Sequence, residues 1–102
     1  MKNSQKFCSV RATVDMIGGK WKLPIIAMLQ DGTFRFKELL TAIDGITGRM
    51  LSKDLKDLEA HGLLTRTVYP EVPPRVEYAL TDKGQSLKEL VQAIKAWGEK
   101  HG

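Results

Sequence analysis

Leucines at positions 51, 55 and 58, set between Thr47 and Gly62, constrain this chain more than any other feature. Steps of four and three residues put all three on one face of an α-helix. Thr47 is the expected N-cap, because its hydroxyl can accept from a backbone N–H that the helix itself cannot satisfy. Gly62 is the expected residue just past the C-terminus, where positive φ is favoured. A helix this short holds its shape only by burying its apolar face against other elements. The flanking sequence supplies them. Upstream, Phe36, Leu39, Leu40 and Ile43 stand at i, i+3, i+4 and i+7, and Asp44-Gly45 breaks the chain after them. Downstream, "LLTRTVY" and "RVEYAL" alternate like strands, with "PEVPP" between them as a stiff, projecting tip. Two helices joined by a glycine turn and followed by a hairpin form a winged helix-turn-helix.

The remaining segments complete that plan. Val10, Val14 and Ile17 recur at helical spacing until Gly18-Gly19. Trp21, Ile25, Met28 and Leu29 mark a second helix, with Pro24 in its first turn and Asp31-Gly32 at its end. "TFRF" is a short extended segment. Thr81 is expected to cap a final helix marked by Leu87, Leu90, Ile94 and Trp97. The fold class is α+β, mainly α: one domain over 1–102, a winged helix-turn-helix with a two-stranded wing and terminal dimerisation helices.

A chain of 102 residues suffices for one core. Its formal net charge of +4 favours an anionic partner. Cys8 is the single cysteine, so no internal disulfide forms, and a reducing cytoplasm fits. The opening "MKNSQKFCSV" has no apolar signal-peptide core, and no apolar run approaches the roughly 20 residues of a membrane span. His61 and His101 lie far apart near helix ends. With no metal-ligand cluster, nucleophile–base pair or phosphate loop, the sequence points away from an enzyme, and no cofactor or metal is expected. His61 is better placed to complement a helix C-terminus.

Projected as a helix, Arg49, Ser52, Lys53, Lys56 and Ala60 fall opposite Leu51, Leu55 and Leu58, while Asp54, Asp57 and Glu59 fall on the flanks. The leucines anchor; the basic ridge faces outward. Such a ridge suits the DNA major groove, with Arg49 reading a guanine edge and Lys53 and Lys56 held to phosphates. Thr47 and Gly48 let the backbone approach a phosphate at the helix N-terminus. A solvated surface gives the same pattern for a helix taken alone; the turn before it and the wing after it favour DNA. Arg75, at the base of the proline-stiffened tip, can enter a minor groove or hold a phosphate, or else pair with Glu77 or another acid. Arg35 is a weaker phosphate candidate.

The 3-4-3 spacing of Leu87, Leu90, Ile94 and Trp97, widened by Val91, is that of a helix-pairing seam, with packing on the chain's own core as the alternative. Val10 and Val14 supply a matching stripe on the first helix. Gly98 beside Trp97 would let a partner helix approach closely. A small winged helix reads a two-fold operator as a dimer.

The chain resembles the HxlR-type regulators, a branch of MarR-like winged-helix transcription factors. The resemblance lies in Cys8, "IGGKWKLPII", "RFKELL", "GITGRMLSKDLKDLEAHGLLTR", "VPPRVEYALTDKG" and the tryptophan of "AIKAWG", which together span nearly the whole chain. It implies a homodimer on double-stranded DNA at palindromic operators, paired through the first and last helices. It implies recognition residues at Thr47, Arg49, Ser52 and Lys53, and wing contact at Arg75. Pro24 departs from the simple aliphatic residue usual there, which concerns helix geometry and not DNA. The resemblance also implies a sensing role for Cys8 toward electrophiles, quinones or oxidants, through an intersubunit disulfide or an adduct. Lys6 and Arg11 lie nearby, and positive charge favours a reactive thiolate; a small buried cysteine is the alternative. No residue names a small-molecule effector. The competing function class is a winged-helix module that binds protein or RNA without reading an operator.

Overall fold

The computed structural model describes residues 2–102, with side-chain surroundings from Phe7 onward. Its elements follow the order that the apolar periods require: α1 (Lys2–Ile17), α2 (Lys22–Leu29), β1 (Phe34–Arg35), α3 (Phe36–Ala42), α4 (Gly48–Ala60), β2 (Leu64–Tyr69), β3 (Arg75–Leu80), α5 (Asp82–Gln85) and α6 (Lys88–His101). Gly45 and Gly62 take φ of 85° and 73°, the left-handed region that closes the α3–α4 turn and ends α4. Pro24 is the third residue of α2. Its missing N–H falls among the first four that no helical carbonyl reaches, so the helix tolerates it.

The sheet is antiparallel in the order β1-β3-β2. "TFRF" therefore adds a short third strand, with Phe34 opposite Tyr78 and Arg35 opposite Glu77. In the hairpin Leu64 faces Leu80, Arg66 faces Tyr78 and Val68 faces Val76. Successive side chains alternate between faces. Leu64 and Tyr78 are buried, so their face is the inner one, and Arg35, Tyr69, Arg75 and Glu77 lie on the outer face.

The core forms where α2, α3 and α4 meet that inner face. Ile25, Ile26, Leu29, Leu39, Leu51, Leu55, Leu58, Leu63 and Leu64 are at most 2% exposed. Ile26 belongs to this core although it lies off the Trp21–Ile25–Met28–Leu29 stripe, while Trp21 and Met28 are only half-buried against it. A helix as short as α2, eight residues packed on two sides, buries consecutive isoleucines.

The C-terminal segment corrects one expectation. Thr81 caps its own short helix, α5, by accepting from Gly84 N–H at 3.1 Å, and the chain turns through Ser86 and Leu87 before α6 begins. The reason is a close contact. A Cβ at Gly84 would run into the Leu63 carbonyl, so glycine alone lets α5 sit on the start of β2. There the Thr81 hydroxyl donates to Gly62 O at 2.6 Å, Thr81 N–H donates to Leu63 O at 3.1 Å, and Lys83 Nζ donates to His61 O at 2.8 Å. The end of α4 is thereby fixed to the start of α5.

The radius of gyration is 15.1 Å. A compact chain of this length has a value of roughly 13 Å. The excess reflects helices that extend past the core with apolar side chains uncovered, above all α1 and α6.

Candidate nucleic-acid interface

The helix α4 starts as its sequence requires. Thr47 Oγ1 accepts from Met50 N–H at 3.2 Å, and Thr47 O accepts from Leu51 N–H at 2.9 Å. Leu51, Leu55 and Leu58 are buried to 2% exposure or less. The opposite face carries Arg49, Lys53 and Lys56, all exposed, with Ser52 half-buried beside them. The ridge expected from sequence therefore stands free of the core. At the far end, His61 Nδ1 lies 2.8 Å from Asp57 O. A carbonyl oxygen only accepts, so this ring nitrogen carries the proton and His61 closes the helix C-terminus. His101 instead sits with its ring centroid 4.9 Å from that of Trp97.

The flanking acids do not neutralise the whole ridge. Asp57 takes Lys22 of α2 at 3.4 Å and Lys53 at 3.9 Å. Lys22 is largely buried, so this pair also ties α2 to α4, while Lys53 remains mostly in solvent, where such a pair contributes little. Among the described residues, Arg49 and Lys56 have no carboxylate within 4.0 Å.

Arg75 is engaged by its own wing. Its guanidinium meets Glu71 at 3.0 Å and Glu77 at 3.6 Å and lies 4.1 Å from the centre of the Tyr69 ring. The salt-bridge alternative is thus the arrangement of the isolated chain. Arg35 is the N-cap of α3; its backbone N–H donates to Glu38 Oε1 at 2.7 Å, and its side chain is exposed on the outer face of the sheet. The structure gathers Thr47, Arg49, Ser52, Lys53 and Lys56 on one helix and sets Arg35 and Arg75 apart from them, on the outer face of the sheet. Sequence reasoning missed Met50, which is 41% exposed next to Arg49. Its only signal is its absence from the leucine stripe.

The expected seam residues divide. Val10 (58% exposed) and Val14 (56%) stand out on α1, and Leu90, Ile94 and Trp97 (66%) stand out on α6. Leu87 and Val91 instead pack against the chain's own core, as the turn at Ser86–Leu87 rotates them inward. Phe7, 68% exposed, extends the α1 stripe and was not anticipated. Cys8 is exposed, not a buried cysteine, and lines a shallow groove of about 540 Å³ with Phe7, Val10, Arg11, Val14 and Asp15. Lys6 lies outside the described side chains. Among the described residues no cluster of His, Cys, Asp and Glu could hold a metal, and no helix is long and apolar enough to cross a membrane.

Comparison with known proteins agrees with this geometry. A family model described as HxlR-like helix-turn-helix matches residues 16–102. An uncharacterized HTH-type transcriptional regulator of Methanothermobacter thermautotrophicus is 48% identical over 102 residues, covering 100% of this chain and 78% of that protein. Among solved structures, the redox regulator HypR in its oxidized form superposes with a TM-score of 0.87 at 45% identity, covering 93% of this chain and 98% of that one. The reduced form of the transcriptional regulator YodB from Bacillus subtilis superposes with a TM-score of 0.80 at 36% identity, covering 91% of each chain.

Proposed function

Because this chain belongs to the HxlR-like helix-turn-helix family, we propose that it is a sequence-specific DNA-binding transcriptional regulator. One observation carries the reading: α4 turns Arg49, Ser52, Lys53 and Lys56 outward, directly opposite three leucines buried to 2% exposure or less. A helix so anchored can enter a major groove without disturbing the core. Arg49 has the planar fork that matches a guanine edge, and Lys53 and Lys56 hold phosphates that set the register. Thr47 and Gly48 bring the helix N-terminus close to the backbone. Arg35 and Arg75 reach flanking phosphates or the minor groove from the sheet.

The active form is a homodimer in the cytoplasm, on a palindromic operator. Val10 and Val14 of α1 and Leu90, Ile94 and Trp97 of α6 supply its apolar seam, with Leu87 and Val91 bracing α6 from beneath. Exposed aromatic and aliphatic side chains on both terminal helices support this, because isolated monomers seldom leave such patches in water. Cys8, exposed on α1 among seam residues, is the thiol through which oxidants or electrophiles act on the dimer. As the chain's one cysteine, it forms disulfides only with a partner chain or a small thiol.

The test is a duplex selected from a random-sequence pool, bound by fluorescence anisotropy across a salt series, with light scattering for mass. A steep salt dependence, preference over a scrambled duplex, and two protomers per duplex are expected. Binding without sequence preference would replace this reading with a general interaction module.

A further inference from the structure

Beside the recognition ridge lies a second feature. A groove of about 440 Å³ separates α4 from the sheet; Phe36 and Tyr78 form its floor, and Ser52, Lys56, Glu59 and Arg66 its rim. Arg66 is the unexpected member. It occupies the inner register of β2, two residues after buried Leu64 and opposite Tyr78. Past Leu64 the strand runs beyond the core, so Arg66 is exposed at the mouth of the groove. Among the described residues, no carboxylate lies within 4.0 Å of Arg66 or Lys56. Glu59 lines the same groove without closing on either cation, so two positive charges and one negative face the opening.

We propose that this groove seats a DNA backbone phosphate, with Arg66 as an additional DNA-contacting residue alongside Lys56 and Ser52. The proposal rests on the DNA-binding reading above. Ser52 and Lys56 belong both to the outward ridge and to the rim of the groove, so the groove opens onto the same side as the ridge. When α4 lies in a major groove and the hairpin reaches the neighbouring minor groove, one backbone strand crosses between helix and sheet. The groove lies between those two elements. An arginine presents paired N–H donors that match two phosphate oxygens, and a serine hydroxyl adds a neutral donor. Such a contact adds affinity and fixes register but reads no base.

The experiment compares wild type, Arg66→Gln and Arg66→Lys on a duplex selected from a random pool and on its scrambled version, across a salt series. Arg66→Gln is expected to weaken both duplexes alike, about fivefold per protomer at 0.15 M salt, and to lower the log–log salt slope by about one unit per protomer. Arg66→Lys keeps the slope. A scan of single neutral methylphosphonates in the selected duplex adds an independent readout. Neutralising one phosphate per half-site costs the wild type more affinity than it costs Arg66→Gln, in which only Lys56 and Ser52 still hold that phosphate. Because Arg66 is exposed, both variants are expected to melt like wild type. A wild type that binds with preference while Arg66→Gln keeps its full slope and affinity would overturn the seat alone. So would a methylphosphonate scan with no position at which wild type and Arg66→Gln differ. A wild type that binds no duplex would overturn the DNA reading and the seat with it.

Discussion

The wing arginine can be tested sharply, because the structure shows what competes for it. Arg75 meets Glu71 at 3.0 Å and Glu77 at 3.6 Å, and its guanidinium lies over Tyr69. To reach a phosphate it must leave Glu71, which sits at the wing tip and is about half exposed. Pairs this exposed contribute about 0.2–1 kcal/mol. Glu71→Gln removes that competitor while Glu77 and Tyr69 still shape the loop. The variant should therefore bind the selected duplex more tightly by a factor of about 1.4 to 5 per protomer, the range that 0.2–1 kcal/mol converts to. Fluorescence anisotropy at fixed salt resolves such a change. Removing a negative charge near DNA would also help binding without Arg75, so the measurement is made twice, in wild-type and Arg75→Ala backgrounds. If competition is the cause, the gain disappears when Arg75 is absent. An equal gain in both backgrounds would show that Glu71 acts on DNA by its charge alone and does not compete for Arg75. Weaker binding by Glu71→Gln would show that the Glu71 pair holds the wing in its binding shape, which is the reverse of the competition argued here.

Three further outcomes follow from the assigned roles. Arg49→Ala should cost about 1–3 kcal/mol of specific binding and relax preference at the base it reads, measured by repeating the duplex selection with the variant; unchanged preference would mean that α4 docks by another face. Gly84→Ala should push α5 off the Leu63 carbonyl and strain the hydrogen bonds that Thr81 and Lys83 make there. Overpacking and lost hydrogen bonds together cost about 2–4 kcal/mol, a fall in Tm of about 10 °C or more at matched protein concentration, whereas Gly48→Ala, with open space around it, should be neutral or stabilising. Diamide treatment should change duplex binding by wild type and not by Cys8→Ser, with a chain-linked dimer seen on a non-reducing gel; identical responses would leave Cys8 as a surface residue with no sensing role.

The helices were legible because their apolar periods, caps and glycine stops agree. Leu51, Leu55 and Leu58 made α4 unambiguous, and Thr47 and Gly62 bounded it to the residue. The break between α5 and α6 was not legible. Thr81 and the apolar run from Leu87 both look like parts of one helix, and the reason they are not is tertiary: α5 must press Gly84 against the carbonyl of Leu63, 21 residues earlier in the chain. The inward turn of Leu87 and Val91 follows from the same break. A heptad-like stripe does not say which of its residues will meet the chain's own core.

The cations show the same limit more plainly. In the sequence Arg49, Arg66 and Arg75 are three arginines on or near a DNA-binding motif. Proximity to a stiff, proline-rich tip favoured Arg75, and a strand position beside buried leucines hid Arg66. The fold reverses their availability. Arg75 is taken up by two carboxylates and a ring contributed by its own hairpin, while Arg66 emerges where β2 faces α4 and, among the described residues, no carboxylate lies within 4.0 Å of it. A strand's alternation assigns each side chain to a face, but whether a charge on that face is already neutralised depends on what the opposite element brings. Here α4 brings a cation, Lys56, and an acid, Glu59, that stays more than 4.0 Å from Arg66. Lys56 and Arg66 line the groove with Glu59 as the acid beside them, so the proposed phosphate would bring a second anion to two cations.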